Sequence, residues 1–278
     1  MNIRQIKGLI IAVASTFTFT AVHAQKSEIK VDSPEYHQAK ANGTLDQYSI
    51  VLDLQNQVEI GAAKPDLTNI QKSSRSSDCD CYVTPDATYS LALAPNDDGS
   101  SGLINLPFSF NFYGTTYNSL YINNNGNITF GSPLSTYSST AFPSANNKII
   151  APFWADVDTR AGNGQVLYKV TPHAIFVNWV NVGYYSMQGD KLNTFQLTLT
   201  DGTDPSVPDG KNIAFCYKDM QWTTGSASSG VNGFGGTPAT CGANKGDNVG
   251  YFLIGRFDHA GIDFDGPLGV NDGISYLD

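Results

Sequence analysis

Apolar and polar positions alternate with a period of two along much of the chain after residue 100. Leu106, Phe108, Phe110 and Phe112 alternate with Pro107, Ser109, Asn111 and Tyr113, a pattern that predicts a half-buried strand. Gly114-Thr115-Thr116 turns the chain. The stretch 120–130 predicts two strands around Asn125-Gly126, residues that tolerate the positive φ of a tight hairpin; an asparagine-rich ligand loop is the alternative. Residues 165–170 and 174–182 predict a hairpin through Thr171-Pro172-His173, which makes His173 a turn residue. Phe195, Leu197 and Leu199 alternate with Thr194, Gln196, Thr198 and Thr200, and Asp201-Gly202 closes that strand. Further strands are expected over 212–217, 220–223, 249–257 and 273–277. The glycine- and serine-rich stretch 225–246 is expected as a long loop, a type often functional or pinned, with Cys241 as the pin.

The run from Lys148 to Arg160 carries Ile149, Ile150, Phe153, Trp154 and Val157 into two carboxylates, Asp156 and Asp158. Pro152 excludes a helix and predicts a core strand with a kink or an edge position. Side chains two apart share a face of a strand, so Asp156 and Asp158 are expected side by side, with Arg160 next in the row. They then either cap a turn held by Arg160 and backbone N–H groups or share a hard cation such as calcium. An EF-hand loop is excluded, because Arg160 stands where an oxygen ligand is needed.

Strand and turn formers dominate from Cys79 onward, and no glutamate occurs there. Strands with turn signals every ten to fifteen residues predict an all-β fold: an antiparallel β-sandwich, or a barrel-like alternative, with long Gly/Asn/Ser-rich loops. Three segments are expected: a secretory signal over 1–24, a weakly structured linker or pro-segment over 25–78, and one β domain over 79–278. The leader is read from Arg4 and Lys7, an apolar stretch and small residues before Gln25; it is too short and too polar to anchor in a membrane. Within the linker, Asp32-Ser-Pro-Glu35 predicts a short helix to Ala41, ended by Asn42-Gly43.

The formal net charge is −9 and becomes more negative without the leader, which argues against nucleic acid as a partner. Cys79, Cys81, Cys216 and Cys241 are disulfide candidates in an exported chain, with three possible pairings.

Asp97-Asp98-Gly99-Ser100-Ser101 leading into 106–114, then 121–130, then 150–160, resemble in order and spacing the nidogen-like (NIDO) domain of nidogen, tectorin and cell-surface mucins. The likeness covers about residues 95 to 258, and the Cys79-Asp-Cys81 start and the tail through Gly225 to Tyr276 look like bacterial versions, in which the domain sits near the start of large exported surface proteins. The resemblance implies a secreted or cell-surface, matrix-type or adhesive context, further domains in a longer parent chain, and no enzymatic activity; it carries over no ligand or catalytic residues.

Three functions follow from these readings. The first is a secreted interaction module binding matrix protein or glycan, calcium-assisted through Asp156 and Asp158, with Tyr184, Tyr185 and Trp222 as ligand contacts if exposed and as core residues if not. The second is a structural domain with no ligand of its own. The third is a glycan hydrolase using paired aspartates, which has neither a glutamate in the domain nor a converging constellation to support it.

Overall fold

A computed structural model describes residues 26–52, 81–162 and 164–257, and the backbone of 274–275. The expected leader, the expected linker beyond residue 52, and Cys79 lie outside the described residues.

The chain opens with β1 (Glu28–Lys30), helix α1 (Pro34–Ala41) and β2 (Ser49–Val51), with β1 and β2 paired in parallel. There follow β3 (Ser90–Leu91), β4 (Ile104–Phe112), β5 (Thr115–Asn123), β6 (Asn127–Thr129), β7 (Ile149–Trp154), β8 (Val157–Asp158), β9 (Gln165–Val170), β10 (Ala174–Tyr184) and β11 (Gln188–Thr200). The last strands are β12 (Ile213–Asp219), β13 (Thr240–Asn244), β14 (Tyr251–Arg256) and β15 (Ile274–Ser275). Two antiparallel sheets result. One runs β15-β12-β11-β10-β9-β3, with β8 also on β10; the other runs β14-β13-β7-β6-β5-β4. Neither closes into a barrel, so the fold is an all-β sandwich.

The period-two reading holds where it was strongest. Leu106, Phe108, Phe110 and Phe112 of β4 are all buried while the residues between them face out. Val170 and Ala174 bound the expected hairpin, and His173 is an exposed turn residue beside Asp201. The two sheets meet through rings: Phe153 of β7 lies 5.2 Å from Phe195 of β11, and 4.9 Å from Phe257; within its own sheet Phe195 is backed by Trp179 of β10, stacked at 5.1 Å. Burial of this kind contributes roughly 1.5–3 kcal/mol per large side chain.

Two expectations need correction. The stretch 225–246 is not one loop, since its end forms β13, a strand buried along its length between β7 and β14. Thr-Cys-Gly-Ala-Asn offers no alternation, because a strand covered on both faces has no polar side to display. Residues 220–223 form no strand; Met220 and Trp222 are buried, and Asn193 Oδ1 accepts the N–H groups of Gln221 and Trp222. Of the two placements expected for Pro152, the irregular core strand is the one found, since β7 lies between β13 and β6. The β7–β13 ladder is irregular between the pairs Trp154–Thr240 and Ala151–Gly242, which accommodates a residue that donates no N–H.

Cys81 and Cys216 form a disulfide that ties the start of the domain to β12. Cys241 is a free, buried thiol within hydrogen-bond reach of the Tyr217 hydroxyl at 3.0 Å. It is held in the sheet and does not act as a disulfide pin.

Candidate functional site

The segment 26–52, expected as weakly structured linker, carries a helix whose start is capped by Ser33, whose side chain accepts the N–H of Tyr36. Positions 36, 39 and 40 share a face of that helix, and Tyr36, Ala39 and Lys40 are the helix residues that become buried. The face is not apolar. It presents a phenol and an ammonium to the sandwich.

Lys40 is the centre of the site. Its Nζ donates to Asp97 Oδ2 at 2.8 Å, to Asp98 Oδ2 at 2.6 Å and to Asp156 Oδ1 at 2.6 Å, and none of the four side chains reaches solvent. Three N–H bonds thus find three carboxylates, the full donor capacity of an ammonium. The rings of Tyr137 and Tyr185 each have their centroid 4.3 Å from Nζ, at cation–π distance.

The acids are held by the turn predicted around Asn125-Gly126. Asn125 Nδ2 donates to Asp98 Oδ1 at 2.6 Å, and its Oδ1 accepts Val157 N–H at 3.0 Å. Asn124 Nδ2 donates to the Val157 carbonyl at 2.6 Å and also to the Asp97 carbonyl. Gly126 has φ +70°, and a Cβ there would stand 1.8 Å from the Phe153 carbonyl oxygen, so this turn lies flat on β7. The asparagines are buried positioning residues, binding acidic loop to strand end. Tyr36 donates its hydroxyl to Asp98 Oδ2 at 2.8 Å.

Asp156 and Asp158 do not stand as a matched pair. The chain leaves β7 after Trp154 and re-enters pairing at Val157, so strand alternation does not carry across. Asp156 joins Asp97 and Asp98, the three presenting carboxylate oxygens within 4.8 Å of one another. Asp158 instead caps the turn that follows: it accepts from Arg160 Nε at 2.9 Å, from Arg160 Nη2 at 2.6 Å and from Met187 N–H at 2.8 Å. Arg160 Nη1 reaches His37 Nε2 at 2.6 Å.

Burial raises the carboxyl of Asp97 well above its ordinary range, and the charge of Asp98 adds to the effect while Lys40 opposes it. Asp156 is pushed up to about 7 by burial and by Asp98, against the pull of Lys40. Burial works against the ammonium, yet Asp98, Asp156 and Asp97 outweigh it and hold Lys40 well above its usual value. Asp97 Oδ1 and Asp156 Oδ2 are buried without a hydrogen-bond partner. Raised carboxyls at Asp97 and Asp156 lessen the negative charge that three buried acids would otherwise set against one base.

The aromatic residues expected at a ligand surface are buried. Trp222 has no exposure and donates Nε1–H to the Val182 carbonyl at 3.0 Å; Tyr184 is 4% exposed and donates its hydroxyl to Asp190 at 2.8 Å. Both belong to the main core, because large rings flanking a sheet gain most by packing inward. Tyr185 is 6% exposed and faces Lys40, so it touches a cation from within the molecule. The sequence reading missed Lys40, Tyr36, Asp97, Asp98 and Tyr137 as site residues. The i, i+4 spacing of Tyr36 and Lys40 and the adjacent acids 97 and 98 were the available signals.

The family model described as NIDO related matches residues 76–248. Alpha-tectorin of Gallus gallus is 32% identical over 188 residues, covering 57% of this chain and 8% of that protein. Alpha-tectorin of Homo sapiens is 31% identical over 189 residues, 57% of this chain and 8% of that protein; Nidogen of Drosophila melanogaster is 28% identical over 165 residues, 49% of this chain and 12% of that protein. The match thus spans a small part of each relative's length. No solved structure matches. The family match covers more than half of the chain, which therefore belongs to the NIDO-related family.

Proposed function

From a chain of this family we infer an extracellular, non-catalytic interaction module, secreted or at the cell surface, that binds matrix protein or glycan through the acidic pocket at the end of β7. Family membership shared with alpha-tectorin and nidogen supports the extracellular setting, and the Cys81–Cys216 disulfide fits an oxidising compartment. The observation that carries the binding role is Lys40: the sandwich already recognises, with three carboxylates and two tyrosine rings, a side chain delivered from outside its sheets. While Lys40 fills the pocket, no substrate reaches Asp156, which speaks against hydrolysis.

Calcium is the alternative cation for Asp97, Asp98 and Asp156, the three acids whose oxygens converge, although the two tyrosine rings beside them supply none of the further oxygens it takes. It competes with Lys40 for the same oxygens. Calcium assistance therefore requires α1 to leave. The test is binding of residues 25–278 to a panel of matrix proteins and polysaccharides, in calcium and in chelator. Saturable binding weakened by Asp98→Asn supports the module; no binding in either buffer leaves a structural domain instead.

A further inference from the structure

The segment 26–52 meets the sandwich through a pocket rather than through an apolar seam. Of α1, only Tyr36, Ala39 and Lys40 are buried. Tyr36 bonds Asp98, Lys40 bonds three acids, and His37 lies 3.6 Å from Asp97 and 2.6 Å from Arg160. Asp32 Oδ1 accepts the N–H of Asp97 at 3.0 Å. These contacts are polar and directional, and they are made between a small separate element and a sandwich whose own core does not include it.

The walls state what the pocket selects. A hard divalent ion asks for oxygen on all sides, whereas here two tyrosine faces flank the cation at 4.3 Å. Three carboxylates within hydrogen-bond reach and two π-faces at 4.3 Å suit an ammonium, which has three N–H bonds to give and is attracted to aromatic rings. Asp97 Oδ1 and Asp156 Oδ2, buried and unpartnered, leave acceptor capacity that Lys40 does not use.

Resting on the reading of this pocket as the binding centre, we propose that Asp97, Asp98, Asp156, Tyr137 and Tyr185 form a receptor for a lysine side chain, that the segment 26–52 is its built-in ligand, and that the same segment of a second copy takes its place when the first undocks. The second copy is the occupant whose complementarity is on display, because every contact made within one chain can be made between two. The segment and the sandwich belong to one chain, and such an intramolecular encounter proceeds at an effective concentration on the order of millimolar. The intramolecular form therefore dominates for a dilute chain, and exchange appears when copies are concentrated or when the resident lysine is removed.

The experiment uses the chain from residue 25 to 278 carrying Lys40→Met, with a fluorescent peptide of sequence 26–52 as probe. The peptide binds this variant at least about tenfold more tightly than it binds the wild-type chain, and tenfold more tightly than the same peptide with Lys40 acetylated, a difference that one desolvated charge set sustains. Adding Asp98→Asn to the variant abolishes the difference. Equal binding of native and acetylated peptide overturns the proposal. A second measurement needs no variant: the wild-type chain is pulsed with an amine-acylating reagent and modification of Lys40 is read by mass spectrometry. Millimolar 26–52 peptide accelerates modification of the chain's own Lys40. A rate equal to that of global unfolding and unmoved by peptide overturns the proposal, since Lys40 is then a static structural ion pair. Peptide capture with no ligand on the matrix panel leaves the receptor standing and removes only the matrix role; panel binding unaffected by the peptide does the reverse.

Discussion

Phe153 and Asp156 lie three residues apart, and neither has any exposed surface. Phe153 is enclosed by rings, with Phe195, Trp222 and Phe257 at 5.2, 5.0 and 4.9 Å. Asp156 is enclosed by two other acids and an ammonium supplied by a different part of the chain. Burial around Phe153 is favourable for any apolar group of suitable shape and owes nothing to proton activity. Burial around Asp156 is tolerable only while charge is balanced, so it depends on pH and on the presence of Lys40. One stretch thus passes from a region that holds the fold together to a region that senses its surroundings.

The contrast is broken most directly from the apolar side. Phe153→Ala removes the ring that joins both sheets and is expected to cost about 3–5 kcal/mol. That is a fall in Tm of roughly 10 °C, and thermal melts at pH 5 and pH 8 should show the same loss. A loss that differs strongly between the two would mean that core and pocket are energetically one unit.

Lys40→Met acts on the other side and is expected to have a smaller, pH-dependent effect. Asp156 is raised to about 7 and Asp97 is raised as well, so between roughly pH 4 and 7 the folded chain binds more protons than the unfolded one. Stability falls as pH rises through that window. The ammonium softens this fall, and removing it steepens the fall. At pH 8 the variant is expected to lose about 3 kcal/mol, a loss limited by release of α1 and entry of water. At pH 4, where Asp97 and Asp156 are protonated and the buried ammonium loses those two counter-charges, the variant approaches the wild type. Parallel stability curves from pH 4 to 8 would refute the assignment of the raised acids to this pocket.

Gly225→Ala probes the wall without touching a charge. Its Cβ would stand 2.7 Å from Asp156 Cβ and 2.9 Å from Asp156 Oδ2, so the acid must move. Overpacking of this order costs about 1–3 kcal/mol. The expected signature is faster acylation of Lys40 with a modest drop in Tm; a drop in Tm with Lys40 still protected would place the strain in the core.

How much of this was legible in the sequence follows the same divide. The strand β4 could be read because one face is apolar and the other polar, a periodicity that a sheet facing solvent imposes, and the hairpin of β9 and β10 because Thr171-Pro172-His173 marks its turn. The strand β13 could not, because both of its faces are covered and Gly242 and Cys241 occupy it without alternation. The turn at Gly126 was read from positive-φ chemistry, but its asparagines were read as turn formers rather than as the frame of an acid cluster. Asp156 was singled out as a candidate ligand, and Asp158 with it, since local spacing speaks only of neighbours in sequence. The partners of Asp156 are 58, 59 and 116 residues away, at Asp98, Asp97 and Lys40. Lys40 sat in a stretch without an apolar face, where hydrophobic patterning has nothing to report and where a charge is ordinarily read as solvated.

The smallest expected effect concerns the rings beside the ammonium. Tyr185→Phe keeps a π-face against Lys40, and burial already disfavours ionisation of the phenol; segment docking should therefore be unchanged within error. Tyr185→Leu keeps apolar volume and removes the quadrupole, at a cost of about 1 kcal/mol in docking. Tyr137 is only half-buried, so Tyr137→Leu should cost less, because water screens the same interaction. The measurement is the rate of Lys40 acylation across the three variants, with Tm as the control. The order Tyr185→Phe, Tyr137→Leu, Tyr185→Leu from slowest to fastest identifies the rings as part of the recognition of the cation. If Tyr185→Phe and Tyr185→Leu behaved alike, the rings would be filling space, and selectivity would rest on the three carboxylates alone.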